Sequence, residues 1–323
     1  MALPASLENS LRIPLIGAPM FIVSGPELVI AQCKAGIVGS FPALNARPQH
    51  VLDEWLTRIK SELAEFSAAN PELPVAPYAV NQIVHQSNNR LMDDMESCVR
   101  HEVPIVITSL RPPAEVVEAV HSYGGLVFHD VISVRHAKKA IDQGVDGVIV
   151  VCAGAGGHAG PLSPFALVKE VRQIFEGVIL LSGSMSQGHD LLAAQAMGAD
   201  LAYIGTRFIA TEEANAPAAY KEMIVNSVAK DIVYTSLFTG ILGSYLRGSI
   251  SNAGLDPDDL PLGDKSDMNF GSGDKSEAKV WRDIWGAGQG VGAVDDIPAV
   301  GDLVERMERE YLEARDRLCG TSG

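Results

Sequence analysis

Along most of the chain, short uninterrupted apolar runs alternate with longer stretches whose apolar positions recur at helical spacing. The short runs fall at residues 13–18, 36–41, 75–80, 104–108, 126–131, 147–152, 178–182 and 201–204. They lack alternation with polar residues, the pattern of parallel strands covered on both faces. Helical patterns occupy 26–35, 48–66, 88–101, 112–123, 134–143, 164–175 and 188–197, with an eighth near 212–229. Several open with a proline, whose missing N–H costs nothing in a first turn. Several end at a glycine (Gly36, Gly124, Gly144, Gly177, Gly198), the usual helix stop. Eight βα units in about 230 residues predict an α/β fold, a (β/α)₈ TIM barrel. An open doubly wound sheet is the alternative, one miscounted strand away.

The pattern changes after residue 230. Residues 231–284 hold an apolar segment at 238–243 and then a Gly/Asp/Ser-rich stretch at 255–275. Charged and apolar residues then recur at helical spacing over 298–318. The expected organisation is a barrel over 1–230, a C-terminal insertion (a lid or substrate-side excursion) over 231–292, and a closing helix over 293–323 packed on the barrel. The polar stretch reads equally as a lid or as an insertion without function.

Composition narrows the partners. The 323 residues carry a net charge of −15 and no basic stripe, whereas binding a phosphate backbone needs clustered Lys and Arg. Cys33, Cys98, Cys152 and Cys319 form no Cys-x-x-Cys pair, which argues against a disulfide framework or zinc site and for a reducing, cytoplasmic setting. No secretory pattern opens the chain, and no apolar run reaches the roughly 18–20 residues that span a bilayer. Neither nucleic acid nor a membrane is therefore expected as a partner.

In a barrel, the loops after the strands build the active site. After the first run come Gly17-Ala18-Pro19-Met20, either a rigid wall for a flat ligand or an ordinary turn. After the sixth come Gly154-Ala155-Gly156-Gly157-His158, whose glycines let backbone approach a ligand closely. His158 reads as a general base, or as a histidine satisfied within its loop. After the seventh and eighth come Ser182-Gly183-Ser184 and Gly205-Thr206. Consecutive loops of small residues at helix starts form a phosphate cradle, which predicts a phosphorylated ligand. His129 closes the fifth run and is expected to face the pocket. His101, His121, His136 and His189 are expected at solvent. No His spacing suits a metal.

In this order, Ala18-Pro19-Met20, Asn81, Ala155-Gly156-Gly157-His158-Ala159-Gly160, Ser182-Gly183-Ser184, Gly205-Thr206-Arg207-Phe208 and the late Trp285-Gly286-Ala287-Gly288-Gln289-Gly290 resemble the nitronate monooxygenase (2-nitropropane dioxygenase) family. The resemblance implies non-covalent FMN, its ring against Ala18–Met20 with Asn81 and His129 at the polar edge. The phosphate would lie on Ser182, Gly183, Ser184, Gly205 and Thr206. His158 is implied to deprotonate a nitroalkane or orient a nitronate, which flavin and dioxygen convert to a carbonyl compound and nitrite. The partners implied are that small molecule and dioxygen, with a homodimer as a candidate assembly. Ser184 stands where the family usually has glycine. Asp130 stands where quinone-reducing relatives tend to carry a basic residue, and pointing inward it would disfavour an anionic reduced flavin. Two alternatives stay open: an NAD(P)H-dependent reductase of quinones or enoyl thioesters, and a flavin-free barrel acting on a phosphorylated sugar.

Overall fold

The computed structural model describes residues 3–263 and 283–320. Its strands are β1 (Leu15–Gly17), β2 (Gly39–Pro42), β3 (Tyr78–Val84), β4 (Ile105–Leu110), β5 (Leu126–Val131), β6 (Gly147–Val151), β7 (Gly157–His158), β8 (Val178–Ser182), β9 (Leu201–Ile204), β10 (Ile232–Thr235) and β11 (Gly243–Leu246). Eight of them form one parallel sheet in the order β1-β9-β8-β6-β5-β4-β3-β2. A parallel bridge between Ile16 and Val38 joins its two ends and closes the barrel. The predicted (β/α)₈ architecture is the observed one.

The periodicity of two decides what each strand shows to the centre. Ile16, Val38, Ala79, Ile107, Phe128, Ile149 and Leu180 fill the interior in one cluster, with Leu7 of the short helix α1 (Ala5–Glu8). Their neighbours Val80, Val106, Val127, Val148 and Ile179 belong to a second cluster under the helices. Each such side chain contributes roughly 1.5–3 kcal/mol on burial, so a one-residue slip would expel a whole set. The register is thus fixed, and with it the identity of the side chains that reach the barrel mouth.

The outer layer comprises α2 (Pro26–Lys34), α3 (Val51–Ala69), α4 (Leu91–Arg100), α5 (Ala114–His121), α6 (Val134–Ile141), α7 (Pro164–Arg172) and α8 (Gly188–Met197). The eighth helix differs from expectation. Within the expected 212–229 only α10 (Ala218–Val225) forms, capped by Pro217, and a short α9 (Thr206–Ile209) precedes it. Strand β3 also runs later than the expected 75–80. Pro77 delays its start, and the polar pair Asn81-Gln82 stays in the ladder, paired with Ile107 and Thr108.

After residue 230 the chain returns to the barrel mouth. β10 and β11 pair antiparallel, and β11 pairs with β7, placing Gly243 opposite His158 and Ser244 opposite Gly157. Helix α11 (Arg247–Asn252) follows; residues 264–275 of the expected polar stretch lie outside the described residues. Helix α12 (Val300–Cys319) packs along α8 and α2. Gly188 permits that approach, since a Cβ there would lie 1.9 Å from the Met307 carbonyl oxygen. Among the described residues, no helix is long and apolar enough to cross a membrane.

Candidate active site

A cleft of about 710 Å³ opens at the C-terminal ends of the barrel strands, within the roughly 300–1,000 Å³ typical of ligand sites. Of the residues singled out in the sequence, Ala18, Pro19, Met20, Asn81, Ala155, Gly156, Gly157, His158, Ser182, Gly183, Ser184, Gly205 and Thr206 all line it. His129 does not. It lies on the outward face of β5, where its Nδ1 and the Thr108 hydroxyl lie 2.8 Å apart, and burial pushes its pKa down to about 4. The inward residue at this strand end is Asp130.

One wall is the segment after β1. The Ala18 N–H donates to Ile204 O at 2.8 Å, and the Met20 N–H to Ser24 Oγ at 3.0 Å. Asn45 Nδ2 donates back to Met20 O at 3.0 Å, so this wall is tied at both ends. Gly205 sits against it, with an added Cβ falling 3.4 Å from Ala18 Cβ.

The opposite side is the loop after β6, locked to the segment 285–290. The Gln289 N–H donates to Gly154 O at 2.8 Å, and the Gly288 N–H to Thr206 Oγ1 at 2.9 Å. A Cβ on Gly154, at φ +85°, would lie 1.9 Å from Ser184 Oγ; one on Gly288 would lie 2.5 Å from Gly154 O. Glycine is required at Gly154 by its positive φ and the Ser184 side chain, and at Gly288 because backbone meets backbone. Tyr220 and Trp285 stack here, ring centroids 4.9 Å apart, and both line the cleft.

His158 follows in β7, partly buried. Its Nε2 lies 2.7 Å from Thr239 Oγ1, in the segment joining β10 and β11. Thr239 Oγ1 has one proton and also reaches Ile241 O at 3.2 Å; with that proton on the carbonyl, Nε2 donates to Thr239 and Nδ1 is the basic nitrogen. Burial pushes the His158 pKa down to about 4, keeping the ring neutral at neutral pH.

The floor is polar. Asn81 Nδ2 donates to Ser109 Oγ at 3.0 Å, and Ser109 Oγ donates to Asp130 Oδ2 at 2.6 Å. Burial raises the Asp130 carboxyl to about 6, opposed by the Ser109 hydrogen bond. At the far end, Gly183 and Ser184 both hold positive φ, +141° and +56°. Among the described residues, the N–H groups of Gly183, Ser184, Met185, Gly205 and Thr206 have no protein acceptor. Unspent N–H donors on two neighbouring strand ends suit an anion. Neutral walls, a polar floor and an anion cradle suit a flat ring system that carries a phosphate.

Sequence reasoning missed Thr239, Ser109 and Tyr220. It also placed His136, His101 and His121 at solvent. His136 and His121 are exposed as expected, His136 at the cleft's rim and His121 beside Asp146 at 2.9 Å, whereas His101 is partly buried against Asp53 at 3.0 Å. Arg207 lies beside the cradle but outside the cleft, buried in an ion pair with Asp296 at 2.6 Å that anchors the approach to α12. Among the described residues, no cluster of three or more His, Cys, Asp or Glu could hold a metal.

The family profile described as nitronate monooxygenase matches residues 7–310. The chain belongs to the nitronate monooxygenase family. It is thereby an oxidoreductase, and membership implies a flavin cofactor and a small-molecule substrate with oxygen. It is 24% identical to a nitronate monooxygenase of Paraburkholderia phytofirmans, over 94% of each chain. It is 23% identical, again over 94% of each, to the (3aS,4S,5R,7aS)-5-hydroxy-7a-methyl-1-oxo-octahydro-1H-indene-4-carboxyl-CoA dehydrogenase of Rhodococcus jostii. Among solved structures, the nitroalkane oxidase of Streptomyces ansochromogenes superposes with a TM-score of 0.77 at 22% identity, covering 97% of this chain and 100% of that one.

Proposed function

We propose that this member of the family is an FMN-dependent enzyme that oxidises alkyl nitronates, and nitroalkanes after deprotonation, with dioxygen to carbonyl compounds and nitrite. The observation that carries this reading is a buried, neutral histidine, held at Nε2 by Thr239, on the wall of a cleft with an anion cradle at one end. FMN, when bound, supplies the electron transfer between nitronate and dioxygen.

The protein's own part is binding and proton handling. Gly183, Ser184, Gly205 and Thr206 would hold the phosphate, Ala18–Met20 the ring face, and Asn81 with the Ser109–Asp130 chain the polar edge. His158 Nδ1 takes the α-proton of a neutral nitroalkane. Burial makes His158 a weak base, but the proton it gains sits beside the negative charge the substrate acquires, and that pairing offsets the desolvation. Tyr220 and Trp285 present an apolar surface that excludes water from the substrate side. Within this reading the barrel of 1–230 carries the cleft, the β10–β11 part of 231–292 supports His158, and the helix Val300–Cys319 of 293–323 packs on the barrel.

The Rhodococcus relative, a carboxyl-CoA dehydrogenase, favours keeping a second reading, an NAD(P)H-dependent flavin reductase of quinones or enoyl thioesters on the same fold. Anaerobic mixing separates the two. Rapid bleaching of the flavin by propyl-2-nitronate but not by NAD(P)H is expected; bleaching by NAD(P)H alone would overturn the nitronate reading.

A further inference from the structure

Six titratable side chains line the cleft among the described residues: Arg47, Asp130, His136, His158, Tyr203 and Tyr220. Asp130 is the single carboxyl among them. It sits on the inward face of β5, between Ser109 of β4 and the buried Tyr203 of β9, whose phenol is raised first by burial and further by the Asp130 charge. Asp130 Oδ2 takes the Ser109 hydroxyl, whose only proton is thereby spent, while Oδ1 is buried with no hydrogen-bond partner. No cation lies within ion-pair distance among the described residues.

Nothing facing Asp130 supplies a standing positive charge. Tyr203 stays neutral, and burial holds both His158 and His136 below the ordinary histidine range. Arg47 is on the rim, exposed, its Nε spent on Leu44 O and its guanidinium over the Phe21 ring. An unpaired carboxylate on a desolvated floor is costly, and a second negative charge placed above it costs more. Two electrons and one proton entering a flavin leave one negative charge in excess.

We propose that Asp130 is the proton acceptor that compensates this charge, its carboxylate becoming a carboxylic acid in step with flavin reduction. The proton comes from solvent and is carried by Asp130 Oδ1, the oxygen not engaged by Ser109. No bond forms between Asp130 and the flavin, which takes its own proton with the two electrons; the coupling is electrostatic, and the Ser109 hydrogen bond to Oδ2 is kept. The residue that the family resemblance casts as an obstacle to the reduced cofactor is then its charge buffer. This rests on the flavin reading above.

The test is the pH dependence of the midpoint potential of the bound flavin, in dye-linked reductive titrations at neutral to mildly alkaline pH. The wild-type protein is expected to take up two protons per two electrons and Asp130→Asn one. An equal proton count in the two proteins overturns the proposal. Should Asp130→Asn fold poorly, the reduced-minus-oxidised infrared difference spectrum of wild-type holoprotein decides instead. A protonated carboxyl band must appear on reduction, and its absence refutes the role. A wild-type protein that takes up no flavin overturns the cofactor reading itself, an outcome distinct from either of these.

Discussion

A histidine serves as a base at neutral pH only if its ring is neutral and its lone pair is aimed at the substrate. Burial meets the first condition at His158, and in the proposed reading the Thr239 contact at Nε2 leaves Nδ1 for the second. Thr239→Val should therefore lower kcat on neutral nitroalkanes about tenfold, with little change in KM and retention by Thr239→Ser. An equal loss on preformed nitronates, which need no base, would show that Thr239 does not act through His158. The histidine was legible because glycines precede it directly. Thr239 was not, since it stands 81 positions away in a stretch without any pattern that marks a partner. The neighbours His129 and Asp130 show a subtler limit. Both are polar at one strand end, and only the parity set by Phe128 in the barrel interior says which of them faces the cleft.

At the scale of elements, the loop after β6 and the closing segment 285–290 meet through backbone, so their glycines have different tolerances. Gly154→Ala forces a side chain into a positive φ and onto Ser184. It should cost about 1–3 kcal/mol and weaken flavin binding at least tenfold. Gly157 also has positive φ, +66°, but open space around its missing side chain. Gly157→Ala should cost only about 1 kcal/mol and leave flavin affinity nearly intact. Denaturation midpoints and flavin titrations of the pair check this, and equal effects would contradict the steric account. Strands β8 and β9 could be read from sequence residue for residue, because Gly177, Gly183, Asp200 and Gly205 bound their apolar runs. β3 could not, since Asn81 and Gln82 look like a strand's end while the ladder carries them onward.

At the scale of the molecule, the βα period revealed the barrel but not how β10 and β11 brace β7, because that pairing joins distant segments. Buried titratable groups at and beside the site also leave a signature on stability. Folding holds His129 and His158 at about 4, below the ordinary 6.5, and Asp130 at about 6, above the ordinary 3.8. Between pH 6 and 4 the unfolded chain thus binds two protons on these groups and the folded chain one. Stability should fall with falling pH across that window by about 1.4 kcal/mol per pH unit from this source. Asp130→Asn removes the opposing proton and should roughly double the slope, as urea midpoints measured against pH would show. An unchanged slope in the variant would mean that the Asp130 carboxyl is not protonated in the fold at mildly acid pH.

The central claim is that His158 is the base of a nitronate-oxidising flavin site. It meets its most direct test in the kcat/KM of His158→Asn on a neutral nitroalkane and on the corresponding preformed nitronate. The account predicts retained FMN, a loss of at least a hundredfold on the neutral substrate, and a much smaller loss on the anion. Equal losses on the two substrates would contradict it.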